Sequence, residues 1–343
     1  MPSLDAASSL VNPDPMPGHA KPLVSVVIPA WNAESVLAEA LASMRDQTWP
    51  HWEAVIVDDG STDLTAQVAV GFVEADSRFR LIRQTHAGVS AARNAALRDA
   101  RGQLIAFLDA DDVWLPAKLA RQIEALSADP KANFCFTNYW FWDGQRDLSR
   151  RYAKRTDFPE GDATSLLCSF DPFGTSTVMV KREALEKTGG FDENLAAAED
   201  WDLWLRMSEN GLWARGVWEP QARYRKWAGN VSAKRIDNIG FVITMFENAL
   251  KRPQPPARRR LLDRSLRRMH GHRELLNATN LIAAAPQSVP PAILRAWSRY
   301  PARVKWLLWY LGAAWPPALG GRMTSGIVHR KLLRRCRPCR SIT

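Results

Sequence analysis

The sequence predicts an α/β fold, a mostly parallel sheet flanked by helices, followed by a basic, mainly helical C-terminal region. Three observations predict it. From Lys21 onward, apolar runs of strand length alternate with helical periods of about 10 to 15 residues, the pattern of βαβ units. The runs are continuous rather than alternating, as expected of parallel strands covered on both faces. Two Asp clusters close such runs, on the edge where an α/β sheet builds its ligand site.

"LVSVVIPA" (Leu23 to Ala30) is the first strand, and Asn32 is placed to cap a helix whose Val36, Leu37, Leu41 and Met44 share one face. "EAVIVDDGSTD" gives a second strand ended by Asp58, Asp59 and Gly60, with Ser61 or Thr62 as the cap of a helix through Glu74. "RFRLIR" is a shorter third strand, and Ser90 to Ala100 is Ala-rich and helical until Gly102 stops it. Leu104 to Leu108 reads as a buried strand with Asp109, Asp111 and Asp112 crowded at its exit. A helix from about Leu115 to Leu126 and the strand "NFCFTNYWFW" follow. Later come a short strand (Ser176 to Val180), a helix near Arg182 to Thr188 and a Trp-rich helix from Glu199 to Asn210. Trp201, Trp204, Leu205 and Met207 form the buried side of that last helix, and Glu199, Asp200 and Asp202 occupy its first turn, where the helix dipole favours them.

Domain boundaries are expected at 1–21 for a disordered lead-in, 22–234 for the α/β domain and 235–343 for the basic helical region. Charge divides at nearly the same place. From Lys251 to the end there are 20 Lys and Arg against Asp263 and Glu274, while the first 250 residues hold 26 basic and 34 acidic residues. An acidic body with a basic tail suggests a meeting with something anionic, such as phospholipid, nucleic acid or a phosphorylated substrate. The tail has no recognisable nucleic-acid-binding motif, so no nucleic-acid partner is expected and an anionic membrane surface fits better. Four cysteines, with one Cys336-Arg-Pro-Cys339 pair, make neither a disulfide framework nor a zinc site. The N-terminus lacks a basic start and an apolar core, so no secretory signal is expected. No run reaches the roughly 18 to 20 apolar residues of a membrane span. "WLLWYLGAAWPPALGG" (Trp306 to Gly321) reads either as a segment lying in the membrane interface or as a buried helix. The expectation is a cytoplasmic protein able to sit on the inner face of the membrane.

Carboxylates as close as Asp109 and Asp111 repel and raise each other's pKa unless a positive charge sits between them. Hard oxygen ligands of this kind suit Mg²⁺ or Mn²⁺, which complete their shells with water and substrate phosphates. A metal and a diphosphate would relieve the repulsion. Asp58 or Asp59, at a neighbouring strand end, is positioned to accept hydrogen bonds from a base or ribose. Arg93 either counters phosphate charge or is a surface arginine of its helix. Asp112 is expected to face away and orient the following turn.

The stretches "VSVVIPAWN", "VIVDDGSTD", "HAGVSAARNAAL", "GQLIAFLDADDVWLP", "GGFDENL…AEDWDLWLR" and "YRKWAGNVS", in that order, resemble glycosyltransferase family 2 over residues 22 to 232. The resemblance implies the GT-A (Rossmann-like) fold and an inverting transfer from a nucleotide-diphosphate sugar, UDP-linked by expectation. The acceptor would be a hydroxyl of a glycan or lipid-linked molecule in envelope polysaccharide synthesis. It also implies roles. Pro29, Asn32, Asp58, Asp59 and Arg93 would lie at the nucleotide, Asp111 at the metal and Asp109 near metal and sugar. Asp200 of the Glu199-Asp200 pair would be the general base. One departure is Trp227, where many relatives have His; Trp cannot ligate a metal, so either metal binding relies on Asp111 and the phosphates alone or Lys226 supplies the positive charge. The string Asp109-Ala110-Asp111-Asp112-Val113 also fits a haloacid-dehalogenase-type phosphohydrolase, although that fold normally places its nucleophile strand first. A non-catalytic nucleotide-sugar-binding assembly factor is the other alternative.

Overall fold

A computed structural model describes residues 23–151, 160–226 and 235–284. The expectations for the N-terminal lead-in, Trp227, the Trp-rich segment and the Cys336–Cys339 pair lie outside the described residues. The chain opens with β1 (Val24–Ala30), α1 (Leu37–Arg45), β2 (Trp52–Asp59), α2 (Thr65–Ala75), β3 (Phe79–Gln84) and α3 (Val89–Asp99). It continues through β4 (Leu104–Phe107), β5 (Val113–Trp114), α4 (Lys118–Ala128), β6 (Ala132–Trp142), β7 (Asp147–Arg150) and α5 (Thr164–Leu167). A 3₁₀ turn (Thr175–Thr177) leads to β8 (Met179–Lys181), α6 (Arg182–Thr188), α7 (Glu199–Glu209) and β9 (Trp213–Arg225). Two helices, α8 (Arg235–Lys251) and α9 (Pro256–Ala284), close the described chain.

The strands form one sheet in the order β3-β2-β1-β4-β8-β6-β9-β5, with β7 beside β6. Pairings β1–β2, β2–β3, β1–β4 and β6–β9 are parallel, and β8, β7 and β5 each run against their neighbours. The sheet is therefore mostly parallel, as the sequence predicts. Side-chain alternation sorts the apolar runs into two cores. Val27, Val55, Val57, Ile105, Phe107, Phe134 and Phe136 face α3 and α7. Val26, Ile28, Ala54, Ile56, Ala106 and Leu108 face α1 and α4. Continuous apolar strands are what a sheet with helices on both faces requires.

Several local expectations are corrected. Asn32 does not cap α1, which starts at Leu37 without a side-chain cap. Instead Asn32 sits at φ 47°, a left-handed conformation that Asn tolerates, and its Oδ1 accepts from Thr62 N at 2.9 Å. Neither Ser61 nor Thr62 caps α2, which starts at Thr65; Asp63 Oδ1 accepts from Thr65 N at 3.0 Å. Strand β9 has no counterpart in the sequence reading. Gly216 and Pro220 interrupt its apolar pattern, and the register with β6 shifts at Thr137/Asn138, opposite Val217 and Pro220. A bulge is where a strand accommodates proline.

Beneath β6 lies a buried lysine. Lys118 is fully enclosed, its ammonium 3.8 Å from the Trp114 ring centroid and hydrogen-bonded to Gln122 Oε1. Burial lowers its pKa to about 7. Between that value and the ordinary lysine range the unfolded chain binds a proton that the folded chain does not, so stability rises with pH across this window. Lys118→Met is expected to stabilise the protein by on the order of 2 kcal/mol at pH 6.5, after the loss of one hydrogen bond to Gln122. Urea melts should show the gain shrinking by pH 9.5, where the wild-type amine is neutral. A constant difference at both pH values would refute it.

Candidate active site

Strand order reverses between β1 and β4, and the open crevice of such a sheet lies outside the carboxyl ends of its strands at this point. Pro29 lies at the end of β1, Asp58 and Asp59 end β2, and Asp109 follows β4. On the β2 side, the loops are bonded to one another. Ser61 Oγ accepts from Asn32 N at 3.0 Å, and Thr65 Oγ1 accepts from Ala33 N at 2.7 Å. Asp58 accepts from Ser61 N at 3.1 Å through Oδ1 and faces Arg83 Nε at 3.5 Å through Oδ2. Asp59 directs both oxygens to the end of β3 and the loop after it: Ala87 N and Gln84 Nε2 donate to Oδ1, and Gly88 N donates to Oδ2. Gly60, at φ +71°, has room only for hydrogen, since a Cβ would meet His86 N at 2.7 Å. Trp31, 53% exposed, stacks on His86 with ring centroids 4.5 Å apart. This exposed aromatic pair escaped the sequence reading; a large exposed Trp directly after β1 was the available signal.

The loop after β4 is fixed from behind. Ser176 Oγ accepts from Asp109 N at 3.0 Å, and Trp114 Nε1 donates to Ser176 O at 2.8 Å. Asp112 is buried, and its Oδ1 accepts from Arg225 N at 3.0 Å, tying β9 to the Asp loop. Burial first, then the charges of Asp111 and Asp109, push its carboxyl well above the usual range. Arg225 Nε donates to Asp111 O at 2.9 Å, its guanidinium lies 4.2 Å from the Trp142 ring centroid, and it also pairs with Glu39. Lys226 directly follows β9, its ammonium 4.5 Å from the Phe141 ring centroid.

The other half of the site is brought in by α7. Ala198 takes a left-handed turn at φ 62°, which sets Glu199 and Asp200 at the helix N-terminus. Arg93, on α3, joins the halves. Its Nη1 donates to Glu199 Oε1 at 2.6 Å and its Nη2 to Asp109 Oδ1 at 2.7 Å, with only 3% of the residue exposed. Arg93 is therefore no surface arginine. Burial works against its charge, but Asp109 and Glu199 overcome this and raise its pKa. Arg93 Nε is buried without a hydrogen-bond partner among the described residues.

Asp200 Oδ2 accepts from Thr175 Oγ1 at 2.5 Å, and Oδ1 accepts from Trp201 N at 2.7 Å. Burial raises the carboxyls of both Glu199 and Asp200. Asp171 belongs to the same surroundings: burial first, then the charge of Asp200, push it well above the carboxylate range. Thr175 and Asp171 were not singled out from the sequence, where they lie in an ordinary-looking polar loop. Asp202 points elsewhere, into a bridge with Arg206 at 2.7 Å.

Among the described residues no group of three or more His, Cys, Asp or Glu side chains is arranged to hold an ion. The residues expected from the sequence to hold a metal are Asp111 and Asp109. One or two carboxylates are the donor set that Mg²⁺ or Mn²⁺ completes with water and substrate phosphate, so these residues fit such an ion. Among the described residues no helix is long and apolar enough to cross a membrane.

The family model for glycosyl transferase family 2 matches residues 25–189. A Bacillus subtilis (strain 168) glycosyltransferase named for teichuronic acid biosynthesis, TuaG, is 34% identical over 217 residues, 63% of this chain and 83% of its own length. An Escherichia coli UDP-Glc:alpha-D-GlcNAc-diphosphoundecaprenol beta-1,3-glucosyltransferase, WfgD, is 30% identical over 219 residues, 63% of this chain and 82% of its own length. Among solved structures, a mannosyltransferase from Pyrobaculum calidifontis in complex with GDP-Man and Mn²⁺ superposes with TM-score 0.61 at 22% identity, covering 94% of this chain and 86% of that one. S. aureus TarS 1–349 with UDP-GlcNAc gives TM-score 0.60 at 19% identity, covering 93% and 90%. These two structures share the GT-A fold with this chain. The chain belongs to glycosyl transferase family 2 and is a glycosyltransferase enzyme.

Proposed function

We propose that this enzyme transfers a sugar, with inversion, from a nucleotide-diphosphate sugar to a hydroxyl of a glycan or lipid-linked acceptor in envelope polysaccharide synthesis. The observation that carries the reading is the Arg93 bridge. It brings Asp109 of the Asp-x-Asp loop and Glu199 of the Glu-Asp pair, 90 positions apart in the chain, to within 2.7 Å of one guanidinium. In this reading the donor diphosphate lies by Asp109 and Asp111 and its base by Asp58, with Trp31 as an aromatic platform. Pro29 and Asn32 shape the same rim, and Lys226 adds positive charge near the diphosphate. Asp200 takes the acceptor's hydroxyl proton as its oxygen attacks the anomeric carbon from the face opposite the diphosphate. Thr175 fixes the carboxylate's orientation, and Glu199 keeps Arg93 in place. A divalent ion held by Asp111 and Asp109 would neutralise charge on the leaving diphosphate. UDP is the expected nucleotide, because WfgD uses UDP-Glc and the TarS structure holds UDP-GlcNAc.

The test is a panel of UDP-, GDP- and dTDP-sugars with Mn²⁺ or Mg²⁺, read by thermal stabilisation and release of nucleoside diphosphate. One UDP-sugar is expected to raise the melting temperature and to be turned over, with chelation abolishing turnover. Hydrolysis of phosphomonoesters with indifference to every nucleotide sugar would overturn the reading in favour of a phosphohydrolase.

A further inference from the structure

Helix α9 lies beyond the residues that the family model matches, and its two faces differ. Leu262, Ser265 and Met269 are buried on the inner face. Ser265 Oγ donates to Cys168 O, and Arg268 donates to Ser169 O. These carbonyls belong to the loop that runs on to Asp171 and to Thr175, the partner of Asp200. Helix α9 therefore contacts the loop that leads to the hydrogen-bond partner of Asp200, the group read as the base for the acceptor hydroxyl.

The outer face carries Arg260, Arg264 and Arg267, spaced i, i+4 and i+7 and so aligned along one side of the helix. All three are exposed, and no hydrogen bond or ion pair joins them to another described residue. Exposed Arg259 and Lys251 lie nearby in the chain. The helix holds seven arginines against Asp263 and Glu274, and residues 285–343 add eleven Lys and Arg with no Asp or Glu.

We propose that α9 docks the enzyme on an anionic phospholipid surface through Arg260, Arg264 and Arg267. The charge on this face is predominantly positive, with Asp263 the carboxylate beside the row: three guanidiniums aligned on one side of a helix can meet headgroup phosphates together. Single-stranded nucleic acid fits less well, because α9 has no Phe, Tyr or Trp on which a base could stack. With the inner face bonded to the loop that leads to Thr175, docking would hold the acceptor entrance at a fixed height above the bilayer. The purpose rests on the reading of a lipid-linked acceptor, but the binding itself needs no substrate and fails or succeeds separately.

The experiment is flotation of the full-length chain with phosphatidylcholine vesicles, with and without phosphatidylglycerol. Binding is expected only with phosphatidylglycerol, falling as salt is raised. The triple variant Arg260→Glu, Arg264→Glu, Arg267→Glu should bind roughly tenfold or more weakly, while melting normally and retaining turnover of a nucleotide sugar with a water-soluble acceptor. If that variant fails to fold, the corresponding triple Gln variant provides the same comparison. Equal binding to both vesicle types, undiminished binding by the folded triple variant, or preferential capture of single-stranded RNA would each overturn the proposal.

Discussion

Asp200→Asn is expected to lower kcat by roughly 100- to 10,000-fold, the range of a lost general base, while donor binding measured by calorimetry stays within a few-fold. The substitution preserves shape, and Asn Oδ1 can still accept from Thr175 or Trp201, so the fold should hold. What it removes is the ability to take a proton. The pH profile gives a second readout. Burial raises the Asp200 carboxyl, so the acid limb of kcat should lie above the ordinary carboxylate range. Activity should fall as pH drops through that raised value, because only the ionised form is a base. Thr175→Val deletes a hydrogen bond that lowers the same pKa and should move the limb further towards neutral. A structural role for Thr175 alone would reduce amplitude without moving the limb. An Asp200→Asn enzyme that keeps most of its turnover would remove Asp200 from the proton step.

Much of the framework was legible because it depends on local chemistry. The continuous apolar runs at β1, β2, β4 and β6 announced a two-sided sheet, and Glu199 to Glu209 announced its helix by the spacing of Trp201, Trp204, Leu205 and Met207. The carboxylates were also visible, since Asp at a strand end is a local signal. What was hidden depends on tertiary placement. Arg93 sits among small residues of an Ala-rich helix that give no sign of its partners, and only the bonds to Glu199 of α7 and Asp109 show why it is charged and buried. Asn32 and Ser61 looked like helix caps, but the loops bond across to each other rather than forward to their helices. Strand β9 was hidden by Gly216 and Pro220, although it carries Arg225, which grips the Asp loop through a carbonyl and not through a motif.

That dependence on placement makes Arg93 the most consequential side chain after Asp200. Arg93→Met keeps the volume and removes the charge, leaving the Asp109 and Glu199 carboxylates facing an apolar stem. Breaking a buried ion network in this way costs about 3 to 5 kcal/mol. The cost should depend on pH with a definite sign. Without the guanidinium, Glu199 loses the charge that opposes its raised pKa, so its folded-state pKa climbs further above the unfolded value. A carboxyl of that kind contributes stability below the unfolded pKa and loses it as pH rises through the folded pKa. Urea melts of Arg93→Met should therefore approach wild type near pH 5 and fall furthest short at pH 8. Donor affinity should drop as well, because Asp109 loses the partner that holds it beside Asp111. Arg93→Lys separates charge from geometry: one ammonium can restore the electrostatics but cannot span Asp109 and Glu199 in the planar, two-armed manner of Arg. It should recover most of the stability at pH 8 and little of the turnover. If the shortfall of Arg93→Met against wild type were the same at both pH values, the Glu199 carboxyl would not be coupled to Arg93; if there were no shortfall at either, the bridge would carry no energy.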